Sequence, residues 1–545
     1  MTHLEPAAPT TSRSRPRAPL ATPLFRALWI ATVVSNIGTS MNDVGSAWLM
    51  TSLTNSAFWV ALVQACASLP IFLLSLPAGA LADIVDRRRL LVVAQGLIFA
   101  AAAALAASTY LGLTTPMILL LLTATMGAGA ALSAPAFQAS LPELVDTRVL
   151  AGAVSLNSLG VNIARAVGPA LGGLIVALSG TWLVYALNAL SVIGVILVLI
   201  RWRPRAVSRV LPPEHFWGAV LAGYRYARNA PALQVVLVRS VAFFLFSSAL
   251  WALLPLVSRR ALEVDATGYG ALLGCMGAGA IAGAVLLPVI RKHANPNIET
   301  IVASLMLAAT ILALAQVTQA KVAGVILGFA GLAWISMLSS LNIAAQMAVP
   351  TWVKARALAI YLLVFQGAMT AGSVAWGSLA GVSSTETALT VAGGALALAT
   401  LLARSFPLPS GKPLDLSSSG HWKAPTALEP PAPDRGPVMV MVEYRVRPQQ
   451  TDVFVGALRA FAAIRRRDGA YRWSVFEDVA HPGLVVESFM VVSWRDHLRQ
   501  HERATQSDRL VQEALQRFHL GDAAPAVRHL VALSSRPRRP HDKAP

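Results

Sequence analysis

Two sets of polar side chains stand inside otherwise apolar stretches of this sequence. The first is Asn36, Thr39, Asp43 and Ser46, and the second is Ser158, Asn162 and Arg165. Spacing of three or four residues puts each set on one face of a helix. An ionisable group in mid-membrane costs about 2.5–3.5 kcal/mol on insertion scales, so it is retained where it does work. A carboxylate and a guanidinium facing one cavity can move a proton. Burial favours the neutral acid and a nearby cation favours the carboxylate, so making and breaking the pair toggles protonation. The hypothesis is that Asp43 and Arg165 pair in a central cavity, with Asp43 taking up a proton during turnover. A structural ion pair that never titrates is the alternative. Asp43 lies about 27 Å from Phe25 and Arg165 about 22 Å from Leu150 at 1.5 Å per residue, which predicts similar depths.

The elements that position these groups are membrane helices. The chain of 545 residues is 55% hydrophobic and 13% charged, with mean hydropathy +0.60, against roughly 25% charge in a soluble protein. Apolar runs long enough to span a bilayer, about 20 residues each, fall at about 24–50, 56–82, 90–111, 115–139, 150–178 and 182–201. A second set falls at about 232–257, 268–290, 298–316, 321–347, 354–381 and 384–404. This predicts twelve transmembrane helices in two six-helix halves, 23–201 and 232–405, joined by a cytoplasmic linker at 202–231. Phe216, Trp217, Val220, Leu221 and Tyr224 in that linker have the spacing of an amphipathic helix, lying on the membrane face or packed under the bundle. Cys66 and Cys275 lie within apolar runs and read as packing residues.

The net charge of +18 does not indicate nucleic acid, because the basic residues sit in short gaps between runs and in the tails. Arg87-Arg88-Arg89, Arg148, Arg201-Arg203-Arg205, Arg291-Lys292 and Lys354-Arg356 occupy alternate gaps. By the positive-inside rule this predicts a multi-pass protein of the cell inner membrane with both termini cytoplasmic. Arg259-Arg260 falls in an intervening gap and breaks the pattern.

The stretch 79–90 reads G-A-L-A-D-I-V-D-R-R-R-L. Gly79, Asp83, Arg87 and Arg88 match the loop between the second and third helices of major facilitator transporters, with departures at Ile84 and Asp86. In that family the loop carboxylate meets the cytoplasmic start of helix eleven in the outward-facing state, here near Lys354 and Arg356. Gly160, Gly168-Pro169 and Gly172-Gly173 resemble the family's antiporter pattern in helix five, with Ala164 in place of one glycine. The family associates that pattern with export; ordinary small-residue packing is the alternative. Stretches 41–53, 141–159 and 341–381 resemble the enterobactin-exporter branch of drug:proton antiporters, and the tail resembles that of transmembrane secretion effectors. The resemblance covers nearly all of 20–405. It implies a secondary active exporter of a small amphipathic molecule, a drug-like compound or siderophore, by proton antiport and alternating access. The implied partners are substrate, protons and the bilayer. Gln366 and Thr370 on helix eleven, with Ser336, Ser340 and Gln346 on helix ten, are candidates to line the second half of the cavity; interhelical hydrogen bonding is the alternative. Arg239 is expected to snorkel.

Residues 1–22 and 536–545 read as disordered tails and the Pro- and Ser-rich 406–436 as a flexible linker. Residues 437–535 read as strand, helix, strand, strand, helices, strand, a small α+β ferredoxin-like domain. It loosely resembles antibiotic-biosynthesis monooxygenase domains, which often dimerise and use no metal or organic cofactor. His497 and His501 are an i, i+4 pair, with His519 and His529 nearby in sequence; no third metal ligand is set by the spacing. No cofactor, metal or catalytic set is expected. A dimer through the tail is possible, and the alternative function is a membrane-anchored enzyme or ligand sensor acting through it. No G-x4-G-K-[ST] phosphate loop is present.

Overall fold

In a bilayer every backbone polar group must be satisfied within its own segment, and a helix does this. The computed structural model describes residues 19–145, 149–202, 216–293, 295–350, 352–408, 415–422, 425, 429, 431–521 and 523–533. The expected tails therefore lie largely outside the described residues, as do Arg148, Arg203 and Arg205.

The first half is α1 (Pro23–Leu53), α2 (Ala57–Ile84), α3 (Arg87–Tyr110), α4 (Pro116–Leu144), α5 (Leu150–Ser179) and α6 (Thr181–Arg201). A shorter helix α7 (Phe216–Asn229) follows. The second half is α8 (Pro231–Leu256), α9 (Ala266–His293), α10 (Pro296–Leu314), α11 (Ala320–Met347), α12 (Lys354–Val382) and α13 (Thr385–Leu402). Eleven of these helices are long and apolar enough to cross a membrane. The long helix outside that set is α1, which carries the Asn36–Asp43 polar series. Helix ends carry local signals: prolines open α1, α4 and α10, and Thr115, Asn295 and Ser384 cap helix N-termini through their side chains. Gly180, at φ +84°, lets α5 end and α6 begin without an intervening loop.

The chain divides into two compact units. One comprises 1–213, 238–341 and 362–407 and holds the helical bundle. There α1 packs on α5 and α6, α3 on α4 and α6, α2 on α4, α5 on α9, and α10 on α13. Arg239 does not snorkel. It is buried, and donates to the carbonyls of Phe406 (2.9 Å) and Ala403 (3.2 Å) and to Thr300 Oγ1 (2.8 Å). These carbonyls lie just past the end of α13, where a cation is favoured, and that of Ala403 also accepts from Phe406 N at 3.0 Å.

The other unit comprises 214–237, 342–361 and 408–545. Its sheet has β1 (Val438–Arg445), β2 (Tyr471–Glu477), β3 (Leu484–Val491) and β4 (Ala526–Val531) in the order β2-β3-β1-β4, all neighbours antiparallel. With α14 (Thr451–Arg467), α15 (Trp494–Arg503) and α16 (Gln506–Gln516) this is the ferredoxin-like arrangement. Alternate residues of β1 and β3, Val438 to Tyr444 and Val485 to Val491, face a core completed by Phe454, Leu458 and Phe461 of α14. Glu487 lies in that core, and accepts from Arg465 (3.3 Å), Trp473 Nε1 (2.9 Å) and Tyr444 Oη (3.3 Å). Arg467, also buried, is shared by Asp468 (2.8 Å) and Asp508 (2.6 Å).

In the same unit α7 packs on α14. Tyr226 and Ala227 join Leu233, Ala348, Val349, Val353 and Ala357 in one apolar cluster, and Tyr226 Oη donates to the Ala348 carbonyl at 2.7 Å. Of the five residues whose spacing suggested an amphipathic helix, Leu221 and Tyr224 are exposed, and the side chains of Phe216, Trp217 and Val220 lie outside the described residues. The Arg467 guanidinium sits over Tyr226 (5.8 Å) and that of Arg503 over Trp352 (4.6 Å). The 406–436 reading differs from the structure where it is described. Residues 415–422 are tied to α15 and α16 by Ser419 N to the Ala504 carbonyl (2.9 Å), Gln506 N to the Ser417 carbonyl (3.0 Å) and Trp422 Nε1 to Gln512 (2.6 Å). Composition marks a segment as unable to build its own core; it does not show backbone bonds to a neighbour.

Arg467→Ala leaves two buried carboxylates without their shared cation. We expect it to destabilise the tail by about 3–5 kcal/mol, measured as lost hydrogen-exchange protection of β1 and β3 in the full chain. Unchanged protection would mean that the pairs contribute nothing to the fold.

Candidate functional site around α1 and α5

Helix α5 has almost no side-chain volume where it crosses its neighbours. A Cβ added at Gly160 would lie 2.6 Å from Val33 Cγ2, at Gly168 2.5 Å from Ser40 Cβ, and at Gly172 2.9 Å from Met41 Cα. On the opposite flank, a Cβ at Gly173 would lie 2.6 Å from Gly270 Cα of α9. Gly168, Gly172 and Gly173 are thus close backbone approaches, to α1 or to α9, while Gly160 makes room for the Val33 and Trp29 side chains of α1. Ala164, which replaces a family glycine, is itself buried. The glycines of α9 pack likewise: Gly270 against Gly173, and Gly283 against Leu332 and Ile335 of α11.

These contacts set the register of the two polar faces. Helices α1 and α5 run the same way, with Gly160 opposite Trp29 and Val33, Gly168 opposite Ile37 and Ser40, and Gly172 opposite Met41. Arg165 therefore lies level with about Asn36, and Asp43 is seven residues or about 10 Å farther along. This offset is larger than the similar depths expected from the helix starts. Counting from helix starts failed because α5 begins farther from the crossing than α1 does. The two side chains still fall within electrostatic reach of one another, and no direct salt bridge joins them among the described residues. Tyr269 of α9, stacked on Trp48 at 5.7 Å, is also within the field of Asp43.

Thr39, Asp43, Ser158, Asn162 and Arg165 are exposed and Asn36 is half-buried. Polar side chains at membrane depth face an aqueous cavity or one another rather than lipid. Ser46 departs from its set: it is buried, and its hydroxyl, like Asn42 Oδ1 and Tyr185 Oη, has no hydrogen-bond partner. Pro169 adds a local feature that the sequence carried. It has no N–H to bond the carbonyl of Arg165 four residues back, so the ladder is interrupted at the residue that carries the charge.

The loop after α2 is built around its basic residues. Asp86, a departure from the family pattern, caps α3 by accepting from Arg89 N at 2.8 Å. Arg87 pairs with Glu143 of α4. Arg88 donates to the carbonyls of Leu199 (3.0 Å) and Ile200 (2.5 Å) at the end of α6. A Cβ at Gly79 would meet nothing within 4 Å, so packing does not require that glycine. The side chain of Asp83 lies outside the described residues. In the second half, Thr370 bonds Ser68 of α2 at 2.8 Å, and Gln366, one turn earlier, is half-buried. Ser336 bonds the Leu332 carbonyl, Ser340 bonds Glu299, and Gln346 bonds Asn342. Thr370 and Ser340 thus bond across helices, the alternative raised for that set, whereas Ser336 and Gln346 bond one turn back on α11 itself. The network of Arg291 with Glu299 (3.1 Å), Ser339 (3.1 Å) and Ser340 (2.9 Å) was not singled out from the sequence. The nearness in sequence of Arg291, at the end of α9, to Glu299, at the start of α10, was the signal for it.

The comparisons with known proteins bear on this arrangement. A family model described as transmembrane secretion effector matches residues 14–538. The chain belongs to the transmembrane secretion effector family. A staphyloferrin A transporter of Staphylococcus aureus is 27% identical over 264 residues, 47% of this chain and 65% of that protein. The chain thus spans just under two thirds of that relative. The enterobactin exporter EntS of Salmonella typhimurium is 26% identical over 321 residues, 58% of this chain and 76% of that one. Among solved structures, a bacterial homolog of the human lysosomal transporter Spinster, inward-facing, superposes with TM-score 0.56 at 14% identity, covering 71% of this chain and 96% of that one. A bacterial homologue of the iron transporter ferroportin, also inward-facing, gives 0.56 at 15%, covering 70% and 98%. The fold of this family member is accordingly the major facilitator fold, and the protein is a multi-pass membrane protein.

In the tail, His497 of α15 is 3% exposed and neither ring nitrogen has a hydrogen-bond partner. Its ring lies 4.9 Å from that of His501 and 4.7 Å from that of His529 on β4. Among the described residues no three His, Cys, Asp or Glu side chains converge as a metal site. His519 is separate, accepting from Arg445 N at 3.0 Å.

Two outcomes follow from this geometry. Gly172→Val forces a branched side chain onto the α1 backbone and is expected to cost about 1–3 kcal/mol, read as a lower melting temperature in detergent. Gly79→Ala should leave that temperature unchanged; equal loss in both would refute the packing role. In the tail, burial and then the neighbouring imidazoles push the His497 pKa down from 6.5 to about 3. The unfolded chain binds the proton that the folded one refuses. Stability is therefore intact above about pH 6.5 and falls on acidification towards pH 3, by about 1.4 kcal/mol per pH unit within that window. Thermal unfolding of the tail at pH 7.5 and 5.5 should show this, and His497→Phe should flatten it.

Proposed function

We propose that this protein is a secondary active exporter of a small amphipathic molecule, a siderophore or drug-like compound, working by alternating access with proton antiport. The reading rests chiefly on one observation: Asp43 and Arg165 stand on the polar faces of α1 and α5, adjacent helices of a major facilitator fold, with no salt bridge between them among the described residues. A carboxylate that has no direct partner in one conformation and gains one in another changes its proton affinity between them. Asn36 and Asn162 flank the same face, and Gln366 offers an amide from the second half. The names of two relatives, a staphyloferrin A transporter and an enterobactin exporter, favour polar metal-chelating cargo among amphipathic molecules.

The basic residues in alternate loops support a reading with both termini in the cytoplasm of an inner-membrane protein. Gly79, Asp83, Arg87 and Arg88 serve as the conformational loop, and Gly168, Pro169, Gly172 and Gly173 as the pivot surface of α5. The protein is not itself an enzyme in this reading. A second reading assigns the tail a sensing role. It is favoured by the buried His497 with His501 and His529 beside it, and by the stacking of Arg467 on Tyr226 of α7 and of Arg503 on Trp352, just before α12. Dimerisation through the tail would use the side of the sheet away from its helices, where Leu530 and Phe476 are exposed.

Proton flux in inverted vesicles tests the main reading, with catecholate and carboxylate siderophores and lipophilic cations as the panel. Ligand-dependent proton movement is expected in the parent. In Asp43→Asn it should fall by about tenfold or more, the scale of one decisive electrostatic contact. Wild-type coupled export by Asp43→Asn would overturn the role of Asp43, and ligand movement without protons would overturn antiport.

A further inference from the structure

Arg259 and Arg260 are the two charges that contradict the topology read from all the others. They follow α8 directly, in a π-turn at Val257–Ala261 where Leu262 N bonds the Val257 carbonyl five residues back. Such turns are uncommon and concentrate where a helix must present side chains off its normal spacing. Here the turn directs two consecutive arginines onto one short stretch of the opposite half. Arg259 Nη1 donates to Thr51 Oγ1 (3.0 Å) and Ser52 Oγ (2.9 Å) at the end of α1, and its guanidinium lies 5.8 Å over the Trp48 ring. Arg260 Nη2 donates to the Asn55 carbonyl at 2.5 Å, in the turn between α1 and α2.

The contact continues inward from this point. Trp48 stacks on Tyr269 of α9 at 5.7 Å and 22°. Ala266 of α9 is buried with Met41, Val176 and Val184 of the first half. Gly173 meets Gly270 with no side chain between them, and Gly377 of α12 meets Ala61 of α2. Every contact between the halves in this series lies on the side where α1 ends and α2 begins, the extracellular side in the reading above. Tight backbone packing closes that side, and the two arginines close its rim.

We propose that Arg259 and Arg260 form a latch that holds the extracellular side of the transport path shut by gripping the Thr51–Asn55 turn. The arginines are exposed, so water can replace their bonds when the halves part. Such a latch sets the balance between states without making opening prohibitive. Because it draws on sequence-distant partners, it also accounts for positive charge on the face where the membrane topology disfavours it.

The assignment of the outer face rests on the functional reading, and the experiment separates the two. Ala266→Cys, in a full-length background with Cys66→Ala and Cys275→Ala, reports on the closed seam. An impermeant maleimide is applied to right-side-out and to inverted vesicles. Adding Arg259→Ala and Arg260→Ala should raise the labelling rate of Cys at 266 by about tenfold or more, the scale of one lost charge-assisted hydrogen bond. Thr51→Ala with Ser52→Ala, which removes the side-chain acceptors of Arg259 and leaves Arg260 the Asn55 carbonyl, should raise it part of the way, and combining both pairs should add little beyond the arginine pair alone. Enhanced labelling from outside supports the latch. Enhanced labelling only in inverted vesicles supports the latch and overturns the sidedness. Unchanged labelling from both faces, or full additivity of the two pairs, overturns the latch.

Discussion

The constraint on which this molecule depends is the backbone-to-backbone contact of α5 with α1 on one flank and α9 on the other. Lipid offers helices no hydrophobic reason to associate, so packing area and close approach must supply it. Gly160, Gly168 and Gly172 bring α5 against α1, and Gly173 brings it against Gly270. A single helix therefore fixes both the internal geometry of the first half and its meeting with the second. The polar residues at the candidate site inherit their positions from that seam. Arg165 is three residues from Gly168, and the register of the crossing, rather than any attraction between charges, decides its distance from Asp43.

This explains what could be read from the sequence. Hydropathy locates the long helices to within a few residues, because each run must match the bilayer. Strand alternation in Val438–Arg445 and Leu484–Val491 identifies the tail sheet, because one face of each strand is buried. Helical spacing finds the polar faces of α1 and α5. What it does not contain is the offset between them. That offset depends on which glycine meets which backbone, a long-range fact with no local signature. Ser46 shows the same limit: it has the spacing of the accessible face, yet it is buried, next to Gly45, which packs on Val184 and Tyr185 of α6. Arg239 was read from its position near a helix end, whereas its partners, the carbonyls of Ala403 and Phe406, lie far along the chain.

The tail illustrates a different kind of information. Its core contains Glu487 with Arg465, and Arg467 with Asp468 and Asp508. Burying such pairs is seldom a source of net stability, since the desolvation of each ion offsets its attraction to the other. They instead require one arrangement of α14, β3 and α16, because any slippage strands a charge. Burial pushes the Asp508 carboxyl up, and the bonds from Arg467 and Thr505 more than reverse this. The capping box at Thr505 uses that same carboxylate. One acid therefore starts a helix and anchors a buried cation, which ties a local helix signal to the tertiary fold.

Arginine placement shows the two halves of the bundle solving one problem twice. A helix that ends at the membrane surface leaves carbonyls without donors. In the first half Arg88, from the start of α3, bonds the carbonyls of Leu199 and Ile200 at the end of α6. In the second half Arg239 of α8 bonds those at the end of α13. Each half also joins its central helices through an arginine–glutamate pair, Arg87 with Glu143 and Arg291 with Glu299. The donors come from different helices and share no local sequence pattern, so simple duplication does not account for the match. The common cause is physical: the last helix of each half ends in carbonyls that carry partial negative charge, and a long cationic side chain from a neighbouring helix can reach them. Arg259 and Arg260 differ because they reach across to the opposite half instead of within their own. Chemistry that within a half fastens a structure permanently becomes, between halves that must part, a contact that can be released.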